Sequence, residues 1–305
     1  VTADGATFTG ATESPGGRHA EIVALDAAAA AAGPGGSRGA TLYTTLEPCS
    51  HHGRTGPCTQ AIIEAGVARV VVGIEDPDRN VAGTGLAQLR HAGLAVDVGA
   101  GAEGVRRQLA PYCKHRSTGR PWVVLKLAAT LDGRTAAPDG TSKWITGPDA
   151  RADAHRLRAE SDAVIVGAGT VAADDPALTV RAAGAEGLRD PLRVVLGRAP
   201  EGAKVHPCLE LDGPLEDVLD ELGRRGVVQA MVEGGATVAG EFHRRGLVDR
   251  YVLYLAPALF GGEDARPLLA GNGAPTIDDI WRGRIIGVDR LGDDLRIEVE
   301  PCSPA

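Results

Sequence analysis

The chain of 305 residues carries a net charge of −8, a balance that argues against a dedicated nucleic-acid binder, which would show a basic stripe. Its composition, 43% hydrophobic and 24% charged, is that of a globular protein, and at this length two cores, hence two domains, are expected. No run of about 18 uncharged apolar residues occurs, so no membrane-spanning helix is expected. Val1 to Gly5 show neither the basic nor the apolar region of a secretory leader. Five cysteines at irregular spacing then predict reduced thiols at the positions without a metal role, in a cytoplasmic protein.

In chain order, the Ala-rich run 19–32 predicts a helix, stopped by Gly33-Pro34-Gly35-Gly36. A β-prone run at 41–45 precedes a helix over 57–65 with Pro57 in its first turn, and the Val-rich run 69–74 predicts a buried strand. A short helix over 86–92 and a short strand over 96–98 follow. The polar segment 114–121, which ends in Gly119-Arg120-Pro121, separates this pattern from a second one. The expected domains are therefore 1–116 and 117–305. The second pattern opens with a strand over 122–128, then a helix over 148–159 and strands over 163–167 and 192–196. A helix over 215–224, a strand over 228–233 and a helix over 237–245 come next, and strands over 251–255 and 295–299 complete it. Strands alternating with helices in both halves predict an α/β protein with largely parallel sheets.

His19-Ala20-Glu21, followed by Pro48-Cys49 and Cys58, supplies an imidazole, two thiols and a carboxylate that is not needed as a ligand. In zinc deaminases a His and two Cys hold the metal while a Glu moves the proton. A fourth zinc position left for water separates such a site from a closed structural one. Read as two residues of one helix, His19 and Glu21 stand about 200° apart and cannot both ligate one ion, which suits a ligand plus a proton carrier. Cys49 and Cys58 flank a loop that leads into a helix, whose N-terminus favours thiolates. A lone His-x-Glu or two cysteines nine residues apart would each be incidental; the combination assigns His19, Cys49 and Cys58 as zinc ligands and Glu21 as proton shuttle. His51 and His52 are read as loop residues serving substrate phosphate or base, with extra metal ligation as the alternative.

The run from Thr45-Leu46-Glu47-Pro48-Cys49 to Gly56-Pro57-Cys58, with Asp76-Pro77 and Val81-Ala82-Gly83-Thr84-Gly85, resembles the bifunctional riboflavin-biosynthesis deaminase–reductase family. The resemblance covers nearly the whole chain. The long spacer between the cysteines distinguishes it from the shorter nucleoside and tRNA deaminases. Against the family pattern, the chain starts inside what resembles its first strand, so the first helix and a Pro-Asn-Pro loop are expected to be lacking. Asp78 and Arg79 also stand where Asn-Pro is common.

Three motifs mark the second half: Lys126 to Arg134; Gly167 to Pro176, followed by Leu178 and Arg181; and Val232-Glu233-Gly234-Gly235-Ala236-Thr237. Glycines where a strand meets a helix let backbone N–H groups approach a phosphate, although a Gly-Gly turn alone is also plain turn chemistry. None is a G-x-G-x-x-G fingerprint, so a Rossmann dinucleotide unit is not indicated. The combination resembles the reductase domain of the same family, whose fold is similar to dihydrofolate reductase and which uses NADPH. By that resemblance Ala128, Trp144, Thr170, Asp174 and the segment Gly235, Ala236, Thr237, Val238, Ala239, Gly240 and Glu241 contact NADPH. Ser142, Arg158, Leu178, Arg181 and Glu233 contact the phosphoribosyl substrate, the arginines through the fork geometry that suits phosphate. Lys126 and Glu233 are the candidates for handling the proton, with Asp174 nearby. Arg198 stands where Ser is common and receives no cofactor role, and 197–213 looks short, from a lost strand or a missing loop.

The resemblance implies a cytidine-deaminase-like α/β/α domain followed by a dihydrofolate-reductase-like α/β domain. It implies zinc-dependent deamination of a diaminopyrimidinone ribosylamino 5′-phosphate, then NADPH-dependent reduction of the ribosyl to the ribityl chain. The expected partner is that small pyrimidine ribosyl phosphate, with no nucleic acid or membrane, in a homo-oligomer. Two other classes remain: a nucleic-acid or tRNA deaminase with an accessory nucleotide-binding domain, and a non-catalytic protein that binds zinc and a nucleotide.

Overall fold

The computed structural model describes residues 5–14, 16–52, 56–79, 81–181 and 189–302. Val1 to Asp4, Pro15 of the turn before His19, and Gly53 to Thr55 of the loop between the cysteines lie outside the described residues. The chain divides into two units, Val1–Thr118 and Gly119–Ala305.

The first unit runs α1 (Ala20–Ala32), β1 (Thr41–Leu46), α2 (Cys58–Glu64), β2 (Arg69–Ile74), α3 (Thr84–His91), β3 (Ala95–Val98), α4 (Ala102–Gln108) and α5 (Ala110–Thr118). Its strands form a parallel sheet in the order β1-β2-β3. β2 is central and buried from Val70 to Ile74, as a β-branched strand covered on both faces should be. Val70 and Val72 pack with Ile62 of α2 and with Leu86 and Leu89 of α3, and Ile22 and Leu25 of α1 lie alongside. Cys58 is fully buried in this same cluster, so one predicted ligand is also part of the core. Sequence periodicity missed α4 and α5 because neither buries a residue. Most of the predicted separating segment, 114–118, is the last part of α5. Residues 5–13 form no strand, in contrast to the strand expected there.

The second unit contains β4 (Trp122–Thr130), β5 (Arg134–Ala136), α6 (Pro148–Ala159), β6 (Ala163–Gly167), α7 (Ala168–Asp174), β7 (Leu192–Leu196) and β8 (Leu209–Leu211). It continues with α8 (Leu215–Arg224), β9 (Gln229–Val232), α9 (Ala236–Arg244), β10 (Arg250–Ala256), β11 (Arg266–Pro267), β12 (Gly283–Leu291) and β13 (Asp294–Pro301). The main sheet has the order β12-β13-β10-β4-β9-β6-β7-β8. From β10 to β8 its neighbours are parallel, and β13 and β12 close one side antiparallel. Successive strand residues alternate between two cores. Leu125, Ile165 and Val232 join Leu219 of α8 and Phe242 of α9 on one face. Val124, Val164 and Val166 join Leu157 of α6 and Val171 of α7 on the other.

The predicted bounds for α6, β6, β7 and α8 coincide with the structure. β8 lies inside 197–213, the stretch where a lost strand was one expectation, and forms the sheet edge. β12 was not predicted: it is an edge strand whose Ile285 and Val288 are exposed, so it lacks the apolar-in, polar-out alternation. Among the described residues no helix is long and apolar enough to cross a membrane.

Candidate functional site

Three side chains converge in the first unit from separate elements. His19 is the N-cap of α1, Cys49 follows β1, and Cys58 opens α2. His19 Nδ1 lies 3.5 Å from Cys49 Sγ and 3.2 Å from Cys58 Sγ, and the three donor atoms fall within 4.8 Å of one another. A tetrahedral zinc with Zn–N of about 2.0–2.1 Å and Zn–S of about 2.3 Å separates its ligand atoms by roughly 3.5 Å, which this spacing matches. His51 and His52 are exposed and stand outside the group.

The helical argument that kept His19 and Glu21 apart does not hold. His19 has extended backbone (φ −73°, ψ 158°), so it does not share the helix with Glu21. Both side chains reach the same place: the Glu21 carboxyl hydrogen-bonds with Cys58 and feels the charges of Cys49 and His19. Burial, and next to it the Cys49 thiolate, push the Glu21 carboxyl up, which suits a group that must hold a proton. The Cys58 thiol bonds the Cys49 sulfur and holds Cys49 far below the usual thiol range, at about 5, while the same bond and burial push Cys58 up. The Cys58 backbone N–H also donates to Cys49 Sγ at 3.3 Å, the first-turn donor a thiolate favours. An imidazole with two thiols sharing a proton is a donor set that fits zinc, whose binding releases that proton.

Sequence reasoning quoted Glu47 without a role. It is buried, and its two carboxylate oxygens accept the backbone N–H groups of Asp76 (3.1 Å), Gly83 (3.0 Å), Gly85 (2.8 Å) and Leu86 (3.2 Å). It thereby clamps Asp76 and residues 83–86 against the Pro48–Cys49 turn. A carboxylate two residues before a ligand, between a strand and a proline, was the available signal.

In the second unit the ends of β6 and β9 open towards one place, as expected of parallel sheets. Glu233 follows β9, and its carboxylate receives Lys126 Nζ at 3.4 Å and Arg158 Nη2 at 2.7 Å. Burial raises the Glu233 carboxyl, but Lys126 and Arg158 more than offset this and hold it below the usual carboxylate range. An ionised Glu233 accepts from Lys126 and Arg158 and has no proton of its own to give. Asp174, at the end of α7, has its carboxylate 3.2 Å from Lys143 Nζ.

Thr170 Oγ1 accepts the Gly235 N–H at 3.1 Å and ties α7 to the start of α9, with Ala236 and Thr237 in the first turn. The Val238 side chain lies so close to Gly167 and Gly234 that a Cβ at either would collide with it. Trp144 is exposed, with the Arg151 guanidinium 4.7 Å from its ring centroid. Ser142 and Ala128 are half-buried, Ala128 against the core. Ala128, Thr170 and Gly235 thus lie at or just beyond the C-terminal ends of the interior strands β4, β6 and β9.

The remaining residues of the predicted contacts lie as follows. Ala239 is fully buried in the core, and Gly240 packs against the Ala270 carbonyl, so both serve the seating of α9. Glu241 forms ion pairs with Arg244 and Arg245 further along that helix. Leu178 turns its side chain into the other core. Arg158 is buried, with Nη1 donating to the Thr179 carbonyl at 2.6 Å and Nη2 to Glu233 at 2.7 Å, so its guanidinium ties Glu233 to Thr179. Arg181 is exposed and stays available. Its backbone N–H donates to His155 Nδ1 at 3.3 Å. His155 had not been singled out; burial, then Arg158 and Arg181, lower its pKa and keep the imidazole neutral.

Residues 121–296 match the family described as the RibD C-terminal domain, and residues 1–74 match the cytidine and deoxycytidylate deaminase zinc-binding region. The riboflavin biosynthesis protein RibD of Mycobacterium tuberculosis is 41% identical over 302 residues, 95% of this chain and 85% of its own length. That of Escherichia coli is 38% identical, over 91% of this chain and 85% of its own. The solved structure of Acinetobacter baumannii RibD superposes with a TM-score of 0.92 at 36% identity, covering 99% of this chain and 91% of that one. A diaminohydroxyphosphoribosylaminopyrimidine deaminase/5-amino-6-(5-phosphoribosylamino)uracil reductase from Thermotoga maritima gives 0.81 at 33% identity, over 94% and 86%. Likeness of this extent spans both units, and the chain belongs to the RibD family of bifunctional deaminase–reductases of riboflavin biosynthesis.

Proposed function

We propose that the first unit hydrolyses the ring amine of a 2,5-diamino-6-ribosylaminopyrimidinone 5′-phosphate and that the second reduces its ribosyl group to ribityl with NADPH. The observation that carries this reading is the convergence of His19, Cys49, Cys58 and Glu21 on one point, in a chain that also sets Lys126, Glu233 and Arg158 at the sheet of its second unit.

When bound, zinc supplies the acidity that makes water a nucleophile near neutral pH. His19, Cys49 and Cys58 would hold it. Glu21, whose carboxyl reaches the same point, would take a proton from that water and pass it to the departing amine. NADPH, when bound against Thr170, Trp144 and the Gly235–Thr237 turn, supplies a hydride. The carbon that accepts it must be an imine or iminium carbon, so the sugar is held ring-opened. Lys126 is placed to move the accompanying proton, Glu233 orients sugar hydroxyls, and Arg181 meets the phosphate.

The five unpaired cysteines support a reducing, cytoplasmic setting. Ile285 and Val288, 60% and 56% exposed on the outer strand β12, support a homo-oligomer.

A paired assay tests the reading: ammonia release and NADPH oxidation by the same zinc-loaded chain. NADPH oxidation is expected only after ammonia release, and oxidation of the undeaminated substrate at the same rate would overturn the order. Glu21→Gln should keep zinc and lose roughly 100- to 10,000-fold in deamination, while still reducing substrate that is already deaminated. A loss below about tenfold would remove the shuttle role.

A further inference from the structure

The geometry points to a second cation site, for a borderline divalent metal of the zinc class, built from His206, Cys208 and Glu210 on the approach to and along edge strand β8. Nothing in the deamination or reduction uses these residues. Glu210 lies in β8, and His206 and Cys208 precede that strand. Their donor atoms lie within 4.8 Å of one another, and Cys208 Sγ is 3.5 Å from His206 Nδ1. That separation is again the roughly 3.5 Å of a nitrogen and a sulfur on one tetrahedral zinc.

The surroundings prepare each donor. His206 Nε2 lies 3.2 Å from the Pro200 carbonyl, which can only accept, so Nε2 carries the ring proton and Nδ1 is left with a bare lone pair facing the sulfur. A backbone carbonyl on the far nitrogen is the usual outer-shell partner of a metal-bound histidine. Arg193 Nη1 donates to the Val205 carbonyl (3.3 Å) and the His206 carbonyl (3.2 Å), pinning the backbone where the run begins. The Ala199 N–H donates to Glu210 Oε1 at 2.9 Å and orients the carboxylate. Imidazole, thiolate and carboxylate together suit zinc, nickel or cobalt better than magnesium or calcium, which take oxygen ligands.

One group competes. Arg198 Nη1 lies 2.9 Å from Glu210 Oε2, but the Arg198 side chain is 82% exposed and free to swing away. Three protein ligands leave a position for water. A bound ion would fasten the three-residue edge strand to the loop that precedes it.

The test loads the full chain with one equivalent of zinc per chain and then titrates cobalt(II), reading the thiolate-to-cobalt charge-transfer band. The band is taken as the difference between the parent protein and Cys208→Ser, so cobalt entering through Cys49 and Cys58 cancels. One further saturable cobalt is expected in the parent and none in Cys208→Ser. His206→Ala and Glu210→Gln should each weaken it by at least about tenfold, the lower end of what outer-shell partners alone contribute. Arg198→Ala, which removes the competing cation, should tighten it. Equal uptake by the parent and Cys208→Ser would overturn the site. So would an affinity that His206→Ala and Glu210→Gln leave unchanged, since that is the behaviour of a lone surface thiol.

Discussion

Glu233 shows how one side chain couples stability to chemistry. Its carboxylate stays ionised in a largely covered position because Arg158 Nη2 at 2.7 Å and Lys126 Nζ at 3.4 Å outweigh the effect of burial. A carboxyl whose folded pKa is depressed contributes stability that is fully present above its unfolded value of about 4.3 and is lost as pH falls through the folded pKa. Glu233→Gln keeps the size but leaves two cations facing a neutral amide. It should destabilise the second unit by roughly 1–3 kcal/mol at neutral pH, the effect of a covered donor losing its charged partner. The difference should vanish on acidification, as the parent loses the same charge. Urea unfolding across a pH series measures this, and identical acid limbs for parent and variant would show that Glu233 is not the group responsible.

At the scale of the element, the start of α3 is seated on the turn that presents Cys49. Glu47 holds the N–H groups of Gly83, Gly85 and Leu86, and a Cβ on Gly85 would run into the Pro48 carbonyl. Gly85→Ala should therefore push α3 and the Pro48–Cys49 turn apart. Overpacking of this kind destabilises by about 1–3 kcal/mol, and zinc affinity should fall with it because Cys49 moves. Gly104, exposed in α4 with nothing near its missing Cβ, is the control. Gly104→Ala should stabilise by about 0.5–1 kcal/mol through helix propensity alone and leave zinc affinity unchanged. Chelator competition combined with urea unfolding separates the two; unchanged zinc affinity in Gly85→Ala would dissociate α3 from the metal centre.

At the scale of the whole molecule, each unit carries its own core. Cys58 belongs to the first unit's cluster, whereas the second unit's sheet is covered on both faces by residues of its own. Removing zinc by chelation should therefore speed amide hydrogen exchange in α2 and the first turn of α1. The interior strands β4 and β9 should keep their protection. Faster exchange in β4 or β9 after chelation would show that the metal stabilises both units together.

The sequence alone determined the α/β class, most strand and helix positions, and the identities of His19, Cys49, Cys58 and Glu21 as a group. These are legible because a Val-rich run such as 69–74, a Pro-led helix and a ligand spacing are local properties of the chain. What the tertiary structure decided were matters of direction and neighbourhood. His19 leaves the helix that Glu21 enters, so both face one point, which residue spacing could not show. Arg158, a phosphate ligand by pattern, is buried with its donors on Glu233 and Thr179, and Ala239 and Leu178 turn inward. Glu47 acquires its role only when Asp76 and residues 83–86 fold back onto it. Whether a polar group meets solvent, a ligand or a buried partner depends on residues distant in the chain, and packing alone brings those together.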